Sequence, residues 1–359
     1  MFKMSEYSFV AGLLAAGLAL ACYVLGILFA RSGTRRMALA GAGAGEGGTI
    51  GLGGNSSLAA GFATYGTLIG WLSFAFLTAW LIFRTIATGH GPFANQYEFA
   101  VSFSWGIVGA YVVFERRYHL RTIGLIVLPI AILTMLYAML FTTSTVEPLV
   151  PALQNNLLLT IHVAVAIVAY GSFSVAFGAA LLYLVQQSLV DRIVAIGSVA
   201  SGVVLVAGIV KSFDFAIVMG GGLAAFVVAA AIVYLWSAWR PATEPGTGPR
   251  RLPRPEILDE ISYRAVVIGF PFLTLVIVLG ALWAEVAWGT YWSWDPKETA
   301  SLVTWLIYGA YLHARVVRGW RGSRSAYLLL LGFYATVFTY FGNLFFGGLH
   351  SYAGLSQGQ

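Results

Sequence analysis

Residues 283–297 read Trp-Ala-Glu-Val-Ala-Trp-Gly-Thr-Tyr-Trp-Ser-Trp-Asp-Pro-Lys, four tryptophans and a tyrosine in fifteen positions. Apolar runs flank the stretch at about 264–284 and 299–317. Aromatic residues between two such runs mark a loop at a membrane surface, where indoles sit at headgroup level. This loop, 284–298, is denser in aromatics than an interfacial belt needs. It reads as a platform for a large flat ligand, and the histidines decide which one.

Composition agrees with the membrane. Of 359 residues, 59% are hydrophobic and 9% charged, and mean hydropathy is +0.83. Soluble domains carry roughly 25% charged residues, so the chain reads as an integral membrane protein. Its net charge of +6 fits arginines gathered in cytoplasmic loops better than a nucleic-acid surface. The single cysteine, Cys22, lies in the first apolar run, which leaves no internal disulfide and no CxxC pair. That run, Phe9–Ala30, lacks a convincing cleavage site and reads as a retained helix.

A membrane helix needs ~20 mostly apolar residues. Ten stretches qualify: 9–30, 62–86, 97–114, 121–141, 157–185, 193–210, 213–236, 264–284, 299–317 and 326–346. The fold class is therefore an all-α integral membrane protein, one polytopic unit over 1–359. The stretch 193–236, with its tight turn at Lys211–Asp214, is either two spans or one re-entrant hairpin, which would leave eight. Placing loop 31–61 in the cytoplasm puts 16 of the 20 Lys and Arg there, with only Lys3, Arg84, Lys211 and Lys297 outside. That bias sets both termini and the tryptophan loop on the extracytoplasmic side of the cell membrane. Segments 31–61 and 237–263 become cytoplasmic linkers. The glycines of Gly41–Gly54 have no GK[ST] and no preceding strand, so they form no phosphate loop.

Five histidines remain. His90 and His119 fall in loops and read as solvated. His162 starts a span on the tryptophan side, and His350 follows the last span on that same side, 188 residues away. Either one alone reads as a helix-end hydrogen bond; together they read as a ligand pair. His313 lies 14 residues beyond Thr299, roughly 21 Å down a helix, in the inner part of a core ~30 Å thick. It is either a functional group at depth or a side chain snorkelling beside Arg315. Imidazole binds iron well, and two imidazoles beside an indole platform suit haem. Asp295, Pro296 and Glu298 form a capping box that starts the next helix and aims the indoles. Lys297 and Arg84, two of the few outer cations, are candidates for the haem propionates.

Trp288-Gly289-Thr290-Tyr291-Trp292-Ser293-Trp294-Asp295 resembles the WWD signature of the haem-handling membrane proteins of cytochrome c maturation. Asp259–Arg264, Gly269-Phe270-Pro271, Trp305-Leu306, Tyr311-Leu312-His313, Arg318-Gly319-Trp320 and Gly348–Tyr352 resemble the CcsA/ResC branch of system II. Asn95-Gln96-Tyr97-Glu98 and Ser104-Trp105 are similar to its NxYES…SW segment, with Phe99 in place of the usual Ser. The strong resemblance covers about 259–352 and a weaker one 62–190. The stretch 193–236 is additional to the usual eight-helix plan.

The resemblance implies a cofactor, haem b, and a CcsB/ResB-type membrane partner with which the chain moves haem outward. Trp288, Gly289, Trp292, Trp294 and Asp295 would present the haem, His162 and His350 would be its axial ligands, and His313 would serve an inner haem site. The substrate would be the CxxCH cysteines of apocytochrome c, kept reduced by a thioredoxin-like protein, and the chain would share in a cytochrome c synthase (haem lyase). No catalytic nucleophile is expected, because the thiols come from the substrate. Two other readings stay open: a b-type cytochrome subunit of a quinol oxidoreductase, and a secondary transporter, which broken helices would favour.

Overall fold

The computed structural model of the protein describes residues 1–41, 54–146, 156–210, 215–238, 252–341, 346 and 348–350. Among these the chain forms ten α-helices and no strand: α1 (Phe2–Gly41), α2 (Gly54–Thr88), α3 (Gln96–Tyr118), α4 (Gly124–Phe141), α5 (Asn156–Leu184), α6 (Leu189–Val210), α7 (Phe215–Ala238), α8 (Pro255–Trp288), α9 (Pro296–Val317) and α10 (Ser323–Phe341).

Each apolar run has become a helix. Eight of them, α1 to α8, are long and apolar enough to cross a membrane. The remaining two, α9 and α10, span 22 and 19 residues but carry more polar side chains. Those face inward: Thr304, Arg315, Ser325, Thr336 and Thr339 are buried. A helix packed inside a bundle can hold polar groups that lipid would penalise. The stretch 193–236 forms two separate helices, each long enough to span; the turn at Lys211–Asp214 lies outside the described residues.

The linkers are shorter than the apolar pattern implies. α1 runs on to Gly41 and α2 begins at Gly54, because residues 31–41 are rich in the helix formers Arg, Ala, Met and Leu. α8 begins at Pro255, with proline in its first turn and Glu256 beside it, a helix start that hydropathy does not register. The centres of both linkers, 42–53 and 239–251, lie outside the described residues. α4 and α8 continue through Pro129 and Pro271, so neither proline supplies the discontinuous helix that a transporter reading requires.

Packing is organised around α5, which touches α3, α4, α8 and α10. Its apolar window is 83% buried, against 17% and 22% for the peripheral α6 and α7. Small residues permit this. A Cβ on Gly171 of α5 would stand 2.6 Å from the Gly106 carbonyl oxygen of α3. A Cβ on Gly269 of α8 would stand 3.2 Å from the Ala169 carbonyl oxygen. Backbones that approach this closely gain the dispersion and weak hydrogen bonding that drive helix association in lipid.

The helices alternate in direction. One end of the bundle collects the starts of α1, α3, α5 and α9 and the ends of α2, α4, α8 and α10. It is tied by the buried Arg84–Glu98 ion pair at 2.7 Å and by the Arg84 guanidinium donating to the Ser144 carbonyl at 2.9 Å. The opposite end carries Arg116, Arg117, Arg121, Arg254, Arg315, Arg318, Arg321 and Arg324 at or beside helix termini, with Arg264 in the third turn of α8.

Candidate functional site

The tryptophan stretch is half helix and half turn. Trp283 to Trp288 form the last turns of α8, so the irregular segment is only Gly289–Asp295. Gly289 ends α8 in the left-handed region, φ 74°, and its N–H donates to the Glu285 carbonyl at 2.9 Å. Glycine adopts that conformation at no steric cost. The chain then reverses through Trp294, φ 60°. Asp295 caps α9, accepting from the Lys297 N–H at 2.8 Å. Glu298 reaches back to accept from the Asp295 N–H at 3.2 Å and the Ser293 N–H at 2.8 Å. The capping box expected from the sequence is present.

Asp295 also does what the sequence does not announce. Its Oδ1 lies 3.0 Å from His350 Nδ1, and its Oδ2 accepts from the His350 backbone N–H at 3.4 Å. Gly348 makes the approach possible, because a Cβ there would collide with the Asp295 carboxylate and come within 2.9 Å of Pro296. Trp288 stands edge-on to the imidazole of His350 at 4.9 Å between centroids, and Trp283 lies 6.0 Å away. One carboxylate thus starts α9 and fixes the ring after α10.

His162 lies in the second turn of α5, with its ring over Gly280 of α8. A Cβ on Gly280 would stand 2.9 Å from His162 Cε1. His162 Nδ1 is buried and, among the described residues, makes no hydrogen bond of good geometry; the backbone group facing the ring is the Val276 carbonyl. Both histidines line one cavity of about 850 Å³, counted to its open mouth. Trp292, Lys297, Gln96 and Phe99 share its wall. Its aromatic floor comes from three helices: Phe103 stacks on Tyr170 at 5.2 Å and meets Tyr340 edge-on at 5.3 Å.

The electrostatics suit ligation. Burial opposes the charge on Asp295, but the His350 hydrogen bond and charge and the surrounding backbone N–H groups hold its carboxyl down to about 2. Burial lowers His350 below its ordinary value, Asp295 works against that, and the nearby Lys297 charge adds to it. A neutral imidazole donating Nδ1–H to an ionised carboxylate leaves its other nitrogen as the basic one. The Lys297 ammonium sits 5.7 Å over the Phe99 ring and forms no ion pair among the described residues.

The structure therefore brings His162, His350, Trp292 and Lys297 to one cavity, with Trp288 and Asp295 behind His350. Gly289 turns the chain. Trp294 is 69% exposed and outside the cavity wall, meeting Trp292 edge-on at 5.9 Å. His313 lies far down α9, exposed on a face shared with Val303, Leu306 and Val317. His119 caps α3 in the left-handed region, and His90 Nδ1 contacts the Gly91 carbonyl at 2.8 Å. Arg84 is corrected as a propionate candidate. It is 1% exposed, and Glu98 and the Ser144 carbonyl occupy its guanidinium.

Fold and site together define a polytopic helical membrane protein with a histidine-bearing, aromatic-walled cavity at one end of its bundle. Residues 93–350 match the family model described as "Cytochrome C assembly protein". Among curated proteins, the chain is 39% identical over 287 residues to "Cytochrome c biogenesis protein CcsA" of Gloeobacter violaceus, covering 78% of this chain and 83% of that one. It is 36% identical over 293 residues to the protein of the same name from Nostoc punctiforme (75% and 82%), and 36% identical over 277 residues to that of Guillardia theta (76% and 80%). The chain belongs to the cytochrome c assembly family, as a CcsA-type protein of cytochrome c biogenesis. The matched region begins just before α3 and stops on His350.

Proposed function

We propose that the cavity holds haem b between His162 and His350 and presents it for attachment to apocytochrome c. The observation that carries this reading is the convergence of two histidines 188 residues apart on one cavity beside Trp292, one of them backed by Asp295. Two imidazoles are too few donors for a bare metal ion and enough for iron already held by a macrocycle. Phe103, Tyr170 and Tyr340 offer flat apolar surface below, and Trp292 offers it at the mouth. The unpaired Lys297 ammonium suits a propionate carboxylate.

Haem supplies the vinyl groups, and each takes a cysteine S–H across its double bond, forming a C–S bond with the proton moving to the neighbouring carbon. The protein's residues have simpler tasks. His162 and His350 would hold the iron of the bound haem and keep competing ligands off it. The indole and phenol faces orient the macrocycle, so that proximity lowers the barrier. The cavity lies at the end opposite the arginines, and the positive-inside rule puts that end on the extracytoplasmic side of the cell membrane. His313 would serve an inner haem contact completed by a CcsB/ResB-type partner against the exposed face of α9. A thioredoxin-like protein would keep the CxxCH thiols reduced.

The test is covalent haem on a CxxCH reporter in cells expressing this chain with its partner. His162→Ala, His350→Ala and Trp292→Ala are expected to cut the haem-stained reporter at least tenfold at equal membrane levels of the chain. Undiminished reporter in both histidine variants would sink the proposal.

A further inference from the structure

The two imidazoles facing the cavity are held in different ways. Nδ1 of His350 meets the Asp295 carboxylate at 3.0 Å, the His350 backbone N–H meets it as well, and Trp288 and Trp283 flank the ring. At His162, Nδ1 is buried with no charged partner among the described residues, the facing backbone group is the neutral Val276 carbonyl, and the surface behind the ring is Gly280, which has no side chain. A carboxylate accepting the proximal N–H fixes tautomer and ring plane and makes the other nitrogen a stronger donor; such partners typically change metal affinity 10–100-fold. A helix carbonyl carries no net charge and gives less.

We propose that the two axial positions are unequal by construction: His350, backed by the carboxylate of Asp295, is the retained ligand, and His162 is the ligand that yields first when haem leaves the site or when an external ligand enters. This rests on the reading of the cavity as a haem site. It assigns Asp295 as a positioning residue acting through His350, beyond its role as a helix cap. It also gives release an order, with the α5 imidazole letting go before the one held by Asp295.

Carbon monoxide tests this on the reduced, haem-loaded protein purified with its partner, because it displaces one axial imidazole and its vibration reports the other. Asp295→Asn is the informative variant: asparagine caps a helix about as well as aspartate, so the start of α9 is kept while the charge behind His350 and the oxygen that accepts its backbone N–H are lost. The expected result is an iron–carbon stretch that rises in Asp295→Asn relative to wild type, with His162→Gly giving the wild-type frequency. Transfer of haem to apomyoglobin is expected to be about tenfold faster in His350→Gly than in His162→Gly. An iron–carbon stretch unchanged by Asp295→Asn, or haem loss equal in the two histidine variants or faster in His162→Gly, overturns the asymmetry while leaving the haem site standing. A wild-type protein without haem, or spectra indifferent to both histidines, overturns the haem reading and this inference with it. Added imidazole restoring a six-coordinate spectrum in each glycine variant shows that the variants are folded.

Discussion

The two ends of the bundle use buried polar residues for opposite purposes. At the arginine end, carboxylates are spent on other helices. Asp259 of α8 receives Arg315 of α9 on both oxygens at 2.7 Å, with the Gly322 N–H at 3.2 Å and Ser325 Oγ at 3.3 Å. Asp191 of α6 takes the Tyr327 hydroxyl of α10 at 2.5 Å. Glu115 of α3 takes the hydroxyls of Tyr23 of α1 and Thr67 of α2. At the histidine end, Asp295 and Glu298 turn a seven-residue loop and steady one imidazole, while His162 and Lys297 face a cavity. The closed networks fix which helices meet. On the proposed reading, the open groups are the ones a bound ligand would meet.

Removing one partner of a closed network should have the largest effect. Arg315→Ala leaves the half-buried Asp259 carboxylate without its cation, held only by the Gly322 N–H and the Ser325 hydroxyl, an expected loss of up to about 3 kcal/mol. Thermal unfolding in detergent should show it, while haem bound per folded molecule stays at the wild-type level. A variant that keeps its stability but loses haem would erase the distinction between the two ends. Next in size is Gly280→Ala. Its new methyl would press on His162 Cε1, and such overpacking costs about 1–3 kcal/mol. The absorption spectrum should change with it, because the displaced ring is a proposed ligand.

Lys297→Met is expected to cost about tenfold in affinity for haem and nothing for haem dimethyl ester, as loss of one charge-assisted contact. Equal losses for the two would remove the carboxylate role. The smallest effect is in pH. His350 is held below its ordinary 6.5, so below that pH the unfolded chain binds the proton more readily and stability falls. Asp295, depressed to about 2, adds its loss only as pH drops below the unfolded value of about 3.9. The apoprotein should therefore melt lower at about pH 5.5 than at about pH 7.5, by less in His350→Gln.

Much of this was legible in sequence and some was not, for physical reasons. Hydropathy marks lipid-facing or fully buried helices, so it found α1 to α8 and placed α9 and α10 through more mixed runs. It marks the apolar part of a helix rather than its ends, so α1, α2 and α8 extend beyond their spans. The capping box at Asp295 is local chemistry and was readable; its second duty at His350, 55 residues away, is a tertiary contact that no spacing encodes. Charge alone made Arg84 and Lys297 equivalent. Glu98 separates them, and Asn95-Gln96-Tyr97-Glu98 offered the carboxylate without saying which arginine it meets. The phenols of Tyr170 and Tyr340 went unnoticed as cavity lining, because two tyrosines on helices far apart in sequence leave no motif.

The most direct test of the central claim is an absorption spectrum of the protein purified with its partner, for wild type and for the double variant His162→Gly, His350→Gly. The account predicts a b-type spectrum in wild type, lost or altered in the double variant and restored by added imidazole. Wild-type protein without haem, or a double variant whose spectrum is unchanged, would contradict it.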